Sequence, residues 1–353
     1  MHELLDGHEI HGVLPINKPV GISSKDVSRW LIKRVGRLKI GHAGTLDPAA
    51  GGVLPLLIGK ATKLQDYLVD SYKSYEFEVE FGVETTTLDS EGVAVKTAPC
   101  CHITETLIEQ TLKNFLGHID QVPPMHSAIK WNGKPLYQYA RSGKIRDQDM
   151  DLFRRKVFIR RLSLVGWVPP RATFRVTCSK GTYVRCLGRD IALAMTTVGS
   201  LTRLTRTYAS GFDLAQCYSL EILEKDFLAE NAPTPLKGLH WLSPFLIPLH
   251  KLKLSIPTIQ LGYQLSQKLL FGQTVNVSES QREVSWEMRS TMAMGSSLLS
   301  KDFQFFEEGQ NPEKSFPENP AVVVLSDDNR AIGIAHAQVL TDGQLTLKLR
   351  RGL

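Results

Sequence analysis

Residues 41–63 concentrate five glycines and two prolines around one carboxylate: Gly41-His42-Ala43-Gly44-Thr45-Leu46-Asp47-Pro48-Ala49-Ala50-Gly51-Gly52-Val53-Leu54-Pro55, then an apolar run reaching Gly59-Lys60. Glycine admits tight turns and close backbone approach, and Pro48 biases Asp47 away from helix into an extended conformation. The segment must therefore be loop and strand, with Asp47 held in a stiff frame just before the apolar run. It is not a phosphate-binding loop: Leu54 stands where a glycine is needed five residues before Gly59, and Ala61 follows Lys60 where serine or threonine is required. A dinucleotide fingerprint is also missing. From the residues alone, Asp47 either caps a turn or does chemistry.

Periodicity organises the rest of the chain. Val27, Trp30, Leu31, Val35 and Leu38 predict a helix over 23–38, with Arg29, Lys33 and Arg37 as a basic stripe on another face. Strict alternation over 75–81 puts Tyr75, Phe77, Val79 and Phe81 on one side of a strand, so Tyr75 faces either the core or a site. A helix over 106–116 reads from a capping box of Thr106 and Glu109 to a terminating Gly117. Over 130–161 basic and aromatic side chains interleave without a period, as in a loop that stacks on bases and touches phosphates, or in a plain polar insertion. Residues 172–178 read as a strand, 179–181 as a turn, and 184–195 as a helix.

Pro233, Pro235, Pro244 and Pro248 place a domain boundary near residue 248. Beyond it, apolar runs at 252–256, 274–277, 321–325, 331–339 and 345–349 predict a small β-barrel or sandwich, interrupted by a long insertion over 278–320. The 353 residues thus suggest two domains.

Charge narrows the partner. Lys+Arg number 42 against 36 Asp+Glu, and residues 246–353 are balanced, so the whole excess of +6 lies in residues 1–245. Within that part it gathers in 25–39, 141–161 and 171–206, which points to an anionic partner. The first residues, rich in acid and without an apolar core, are wrong for a signal or transit peptide, and no stretch reaches the roughly 18 to 20 apolar residues of a membrane span. The expected location is cytoplasmic. The five cysteines show no metal-binding spacing, and the adjacent Cys100-Cys101-His102 is poorly suited to converge on one ion.

The block Gly41 to Pro55 resembles the catalytic motif of the bacterial tRNA pseudouridine-55 synthases, the TruB-type family. Further blocks similar to that family follow in order: Asn17-Lys18-Pro19 with Gly21 and Ser23-Ser24; Lys73-Ser74-Tyr75; Gln121 to Lys130 with Gly133, Tyr137, Tyr139-Ala140-Arg141 and Gly143; and Cys178-Ser179-Lys180-Gly181-Thr182-Tyr183-Val184-Arg185. Together they span most of residues 12–208. The C-terminal part is similar to the family's RNA-binding PUA domain through Gly272-Gln273 and Gly333-x-Ala335.

The resemblance implies an α+β pseudouridine synthase fold: a large mixed, mainly antiparallel sheet flanked by helices in a catalytic domain over 1–248, and a small PUA-like β-barrel over 249–353. It implies that the chain turns uridine 55 of the tRNA T-loop into pseudouridine, breaking the bond from ribose C1′ to N1 and rejoining C1′ to C5. Asp47 would be the nucleophile, attacking the uracil ring or C1′, and Arg185 would pair with it. Tyr75 would stack on the target base and assist removal of the C5 proton. His42 would occupy the place the flipped nucleotide vacates, Tyr183 and Leu204 would line the uracil pocket, and Lys18 and Lys130 would contact the substrate. Segment 126–152 would be the insertion that grips the T-arm. No metal, no organic cofactor and no membrane are implied, and the protein would act as a monomer.

Two departures stand out: Ser200 where the family has His or Tyr, and Thr205 where it has the first arginine of a pair. Two other readings compete. One is a tRNA-binding folding chaperone with secondary catalysis, the other a guide-RNA-dependent rRNA pseudouridine synthase that works with small nucleoproteins.

Overall fold

The computed structural model describes residues 5–6, 9–36, 38–69, 72–127, 129–145, 147–229, 241–252, 258–277, 321–326, 331–339 and 345–353. The insertion expected over 278–320 lies outside the described residues, as does most of the run expected at 252–256.

Ten strands form one sheet, eight of them in a continuous path. In chain order these are β1 (Gly12–Lys18), β2 (Ala50–Ile58), β3 (Lys73–Phe81), β4 (Gly117–Gln121), β5 (Arg155–Val168), β6 (Arg171–Cys178), β7 (Gly199–Ala209) and β8 (Tyr218–Ser219). Their spatial order is β8-β1-β2-β7-β3-β6-β5-β4. The β8–β1 and β2–β7 pairs are parallel and the rest of the path is antiparallel. The sheet is mixed and mainly antiparallel, as expected.

The pleat explains which residues lie inside. Along β3, Tyr75, Phe77, Val79 and Phe81 are buried while Glu76, Glu78 and Glu80 point the other way. Phe77 stacks on Phe174 of β6 with ring centroids 5.2 Å apart. On the opposite face Glu80 pairs with Arg171 at 2.9 Å and Glu76 with Arg175 at 3.1 Å. β2 is buried along all nine residues, because neighbours flank it on both edges and layers cover both its faces.

Helices on the inner face include α1 (Ser24–Val35), α2 (Glu105–Leu112) and α3 (Val184–Ala194). α1 starts on a capping box of Ser23 and Asp26 and buries Val27, Leu31 and Val35, one face at a spacing of four. α2 is capped two residues earlier than the sequence suggested. Thr104, not Thr106, is the cap, accepting from the Leu107 N–H, because two threonines near the start offer equivalent caps and packing selects the outer one.

Segment 130–161 is not the single loop its composition implied. It makes a hairpin of Lys130–Trp131 with Lys134–Pro135, a short helix Leu136–Arg141, 3-10 turns over Asp147–Phe153, and then the start of β5 at Arg155. Leu136, Ile145 and Met150 form a small core of its own, against which Trp131 and Tyr139 pack, their rings 5.1 Å apart. These aromatics bury against each other rather than standing free for bases.

The C-terminal residues form a separate five-stranded sheet with a helix. Its elements are β9 (Thr258–Leu261), α4 (Tyr263–Leu270), β10 (Val275–Val277), β11 (Ala321–Ser326), β12 (Ala331–Val339) and β13 (Leu345–Gly352), in the strand order β9-β11-β12-β13-β10. Val323, Leu325 and Ile334 share an apolar cluster with Val13, Leu57, Leu64 and Leu68, so this sheet packs on the strand and turn that follow the glycine-rich block. Among the described residues no helix is long and apolar enough to cross a membrane.

Candidate active site

The glycine-rich block closes into a loop between a short strand, Ile40–His42, and β2. Its backbone is held from three sides. Ser24 Oγ accepts the Leu46 N–H at 2.8 Å and donates to the Leu46 carbonyl at 3.0 Å. The Gly21 N–H reaches the Pro48 carbonyl at 2.9 Å. Arg206 of β7, only 1% exposed, donates to the carbonyls of Val53 at 2.8 Å, Gly44 at 2.9 Å and Thr45 at 3.4 Å. Gly52 is required where β2 meets Arg206: at φ +101 a Cβ there would lie 2.2 Å from the Arg206 carbonyl oxygen.

Asp47 projects from this loop into an open cleft lined also by Ala50, Asp89, Arg185, Leu201 and Leu204. Arg185 lies in the first turn of α3 and reaches Asp47 Oδ2 through Nη2 at 3.0 Å. The same guanidinium donates to the carbonyls of Thr87 at 2.8 Å and His126 at 3.0 Å, and stands 3.4 Å from Asp89 Oδ2. Exposure separates the two carboxylates: the Asp47 side chain is 38% exposed and that of Asp89 only 7%. Asp47 is the one an entering molecule can touch, while Asp89 balances the buried guanidinium.

The expected site residues fall into two groups. Asp47, Arg185 and Leu204 line the cleft together. Tyr75 is buried in the sheet beside Arg206, and burial pushes its hydroxyl up to about 12. His42 is half-buried, its Nε2 3.3 Å from Thr45 Oγ1, and burial, with Arg206 as a second cause, lowers its pKa and keeps the ring neutral at pH 7. Tyr183 occupies the N-cap position of α3, two residues before Arg185. Gln121 clamps both its N–H, at 2.8 Å, and its carbonyl, at 3.1 Å, while the Arg155 guanidinium lies 4.7 Å over its ring. Lys130 is exposed on the insertion's hairpin.

Lys18 is placed under the loop rather than at the surface. It is fully buried and donates to the carbonyls of Ile22 at 2.7 Å, Pro19 at 2.9 Å and Pro48 at 3.4 Å. Burial draws its pKa down to about 8, with Asp47 opposing. Its position ties the end of β1 to the residue after Asp47.

Sequence reasoning missed Asp89, the second carboxylate on Arg185, and the holding roles of Arg206 and Gln121. Asp89 sits in Thr85-Thr86-Thr87-Leu88-Asp89, a stretch with neither period nor spacing to mark it. The arginine absent at Thr205 also has a structural answer. Thr205 stands opposite Glu76 in register, and Arg203, two residues earlier on the same strand, approaches that glutamate at 3.7 Å.

Residues 31–184 match the family described as TruB family pseudouridylate synthase, N-terminal domain. The chain is 40% identical over 269 residues to tRNA pseudouridine synthase B of Ralstonia pickettii strain 12J, covering 75% of this chain and 80% of that protein. It is also 40% identical over 274 residues to tRNA pseudouridine synthase B of Pseudomonas aeruginosa strain UCBPP-PA14, covering 77% and 85%. Among solved structures, a crystal structure of a Cbf5-Nop10-Gar1 complex superposes over 97% of this chain and 84% of that one, with a TM-score of 0.66 at 19% identity, a likeness of fold.

Proposed function

Since the chain belongs to the TruB family of pseudouridylate synthases, we propose that it isomerises uridine to pseudouridine in tRNA, at position 55 of the T-loop, with Asp47 as nucleophile. The observation that carries the reading is the 3.0 Å pair of Arg185 with Asp47 at the one accessible carboxylate of the cleft. The guanidinium aims the carboxylate, as both routes require, whether it attacks the uracil ring or C1′. The bond from C1′ to N1 breaks, the uracil turns, C1′ joins C5, the bond to Asp47 is released, and the C5 proton leaves while N1 takes one up from solvent.

The target base must first leave its stack, at a cost of a few kcal/mol. His42, neutral and at the rim of the loop, suits the vacated place because it can stack without burying a charge. Leu204 supplies an apolar wall beside Asp47. Tyr75 serves as a stacking surface, and burial raises the pKa of its hydroxyl, which disfavours the phenolate. Arg155 and Gln121, which face each other across the β4–β5 ladder, hold Tyr183 for the uracil pocket.

We divide the chain at residue 248 into a catalytic part and a PUA-like part, with 126–152 as the segment that grips the T-arm. The small separate core of that insertion supports a unit able to hold RNA without a partner protein, and Lys130, Lys134 and Lys144 are exposed cations on it. The test is purified protein alone with unmodified tRNA tritiated at C5 of uridine. Release of tritium supports the reading. Its absence, or release only when a guide RNA or nucleoprotein is added, overturns the stand-alone enzyme.

A further inference from the structure

Ser200 opens β7 next to the loop that carries Asp89, and it is 5% exposed. Its Oγ accepts the Thr85 N–H at 2.8 Å and the Thr85 hydroxyl at 3.3 Å. That hydroxyl also reaches the Asp89 carbonyl at 2.7 Å, and one residue along the strand the Leu201 N–H reaches the Leu88 carbonyl at 3.1 Å. Three contacts thus fasten residues 85–89 to the start of β7.

The loop needs such fastening. Leu88 sits at φ +62, a region that branched side chains rarely adopt and that persists only where neighbours over-determine it. The turn through Leu88 aims Asp89 inward. One carboxylate oxygen accepts the Thr87 hydroxyl and the Glu91 N–H, and the other faces Arg185 Nη1 at 3.4 Å, the same nitrogen that donates to the Thr87 carbonyl. Both acceptors on that side of the guanidinium therefore belong to the loop, and the opposite nitrogen, Nη2, pairs with Asp47.

We infer that Ser200 is a positioning residue of the proposed reaction: it anchors the 85–89 loop so that Thr87 and Asp89 set the angle at which Arg185 meets Asp47. This rests on the functional reading above. It also gives a role to one of the two positions at which the chain departs from the family pattern. Without the serine hydroxyl the partly buried Thr85 N–H loses its acceptor, which is disfavoured, so the loop shifts rather than leaving a static gap.

Ser200→Ala, Asp89→Asn and the double variant, assayed for tritium release and melting temperature beside the wild type, test the inference. Ser200→Ala should lower kcat about tenfold with KM within about twofold, whereas in the Asp89→Asn background the same change should cost less than about twofold. Wild-type kcat in Ser200→Ala, or equal losses in both backgrounds, overturns it. Should Ser200→Ala fail to fold, Thr85→Val, which deletes the hydroxyl shared by Ser200 and Asp89, takes its place under the same criteria. Hydrogen exchange reads the anchor without turnover: Ser200→Ala should accelerate exchange over residues 85–92 and leave α3 unchanged, and unaltered exchange there refutes the anchor. A wild type that releases no tritium yet loses protection in Ser200→Ala would instead refute the functional reading.

Discussion

Arg185 Nη2 donates to Asp47 Oδ2 at 3.0 Å and, at the same distance, to the carbonyl of His126. One nitrogen thus links the carboxylate proposed as nucleophile to His126, the first residue of the proposed RNA-gripping insertion.

Replacing Asp47 with asparagine keeps the size and removes the charge. Turnover should fall below detection while tRNA affinity stays within about threefold of wild type, because the buried frame around Gly44 and Pro48 is unaltered. Tritium release and filter binding measure the two. Activity comparable to wild type would remove Asp47 from the mechanism.

Arg185→Lys keeps the charge and loses the fork. One ammonium cannot reach Asp47, Asp89 and the carbonyls of Thr87 and His126 together, so kcat should drop at least about a hundredfold, with a stability loss of about 2–3 kcal/mol. Single-turnover kinetics and urea unfolding read the two effects. Kinetics like the wild type would leave Arg185 a structural arginine with no part in the reaction.

Gly52→Ala and Gly21→Ala form a matched pair. Both glycines have positive φ, +101 and +94, yet an added Cβ meets the Arg206 backbone at 2.2 Å in the first case and nothing within 4 Å in the second. Gly21→Ala should cost about 1 kcal/mol in urea unfolding. Gly52→Ala should cost about 3 kcal/mol or more and lower activity, since it pries β2 from β7 beneath Asp47. Equal losses would contradict the close approach.

Lys18→Met should lower stability by about 2–4 kcal/mol by freeing three carbonyls. The pH dependence has a definite sign. The folded pKa of Lys18, about 8, lies below its ordinary 10.5, so between those values the unfolded chain binds more protons and this group's contribution to stability rises with pH. The melting-temperature gap between wild type and Lys18→Met should widen from pH 8 to 10. A gap that narrows would contradict the buried ammonium.

Local pattern carried far in this chain. The glycines and proline around Asp47 act within a few residues, so their spacing alone marks the loop and its lone carboxylate, and the alternation of 75–81 is the pleat itself. Order among five blocks was enough to indicate the family and, through it, Arg185. What fold-level packing added were partnerships that no spacing encodes. Asp89 becomes the counter-charge of Arg185 because a hairpin after β3 returns to α3, and Lys18 goes inward because three carbonyls converge on the end of β1. Trp131 and Tyr139, which in sequence could have stacked on bases, close a small core instead. Side-chain periodicity reports which face of an element is apolar. The groups that meet across a hundred residues depend on strand order and crossing, which exist only once the chain has folded.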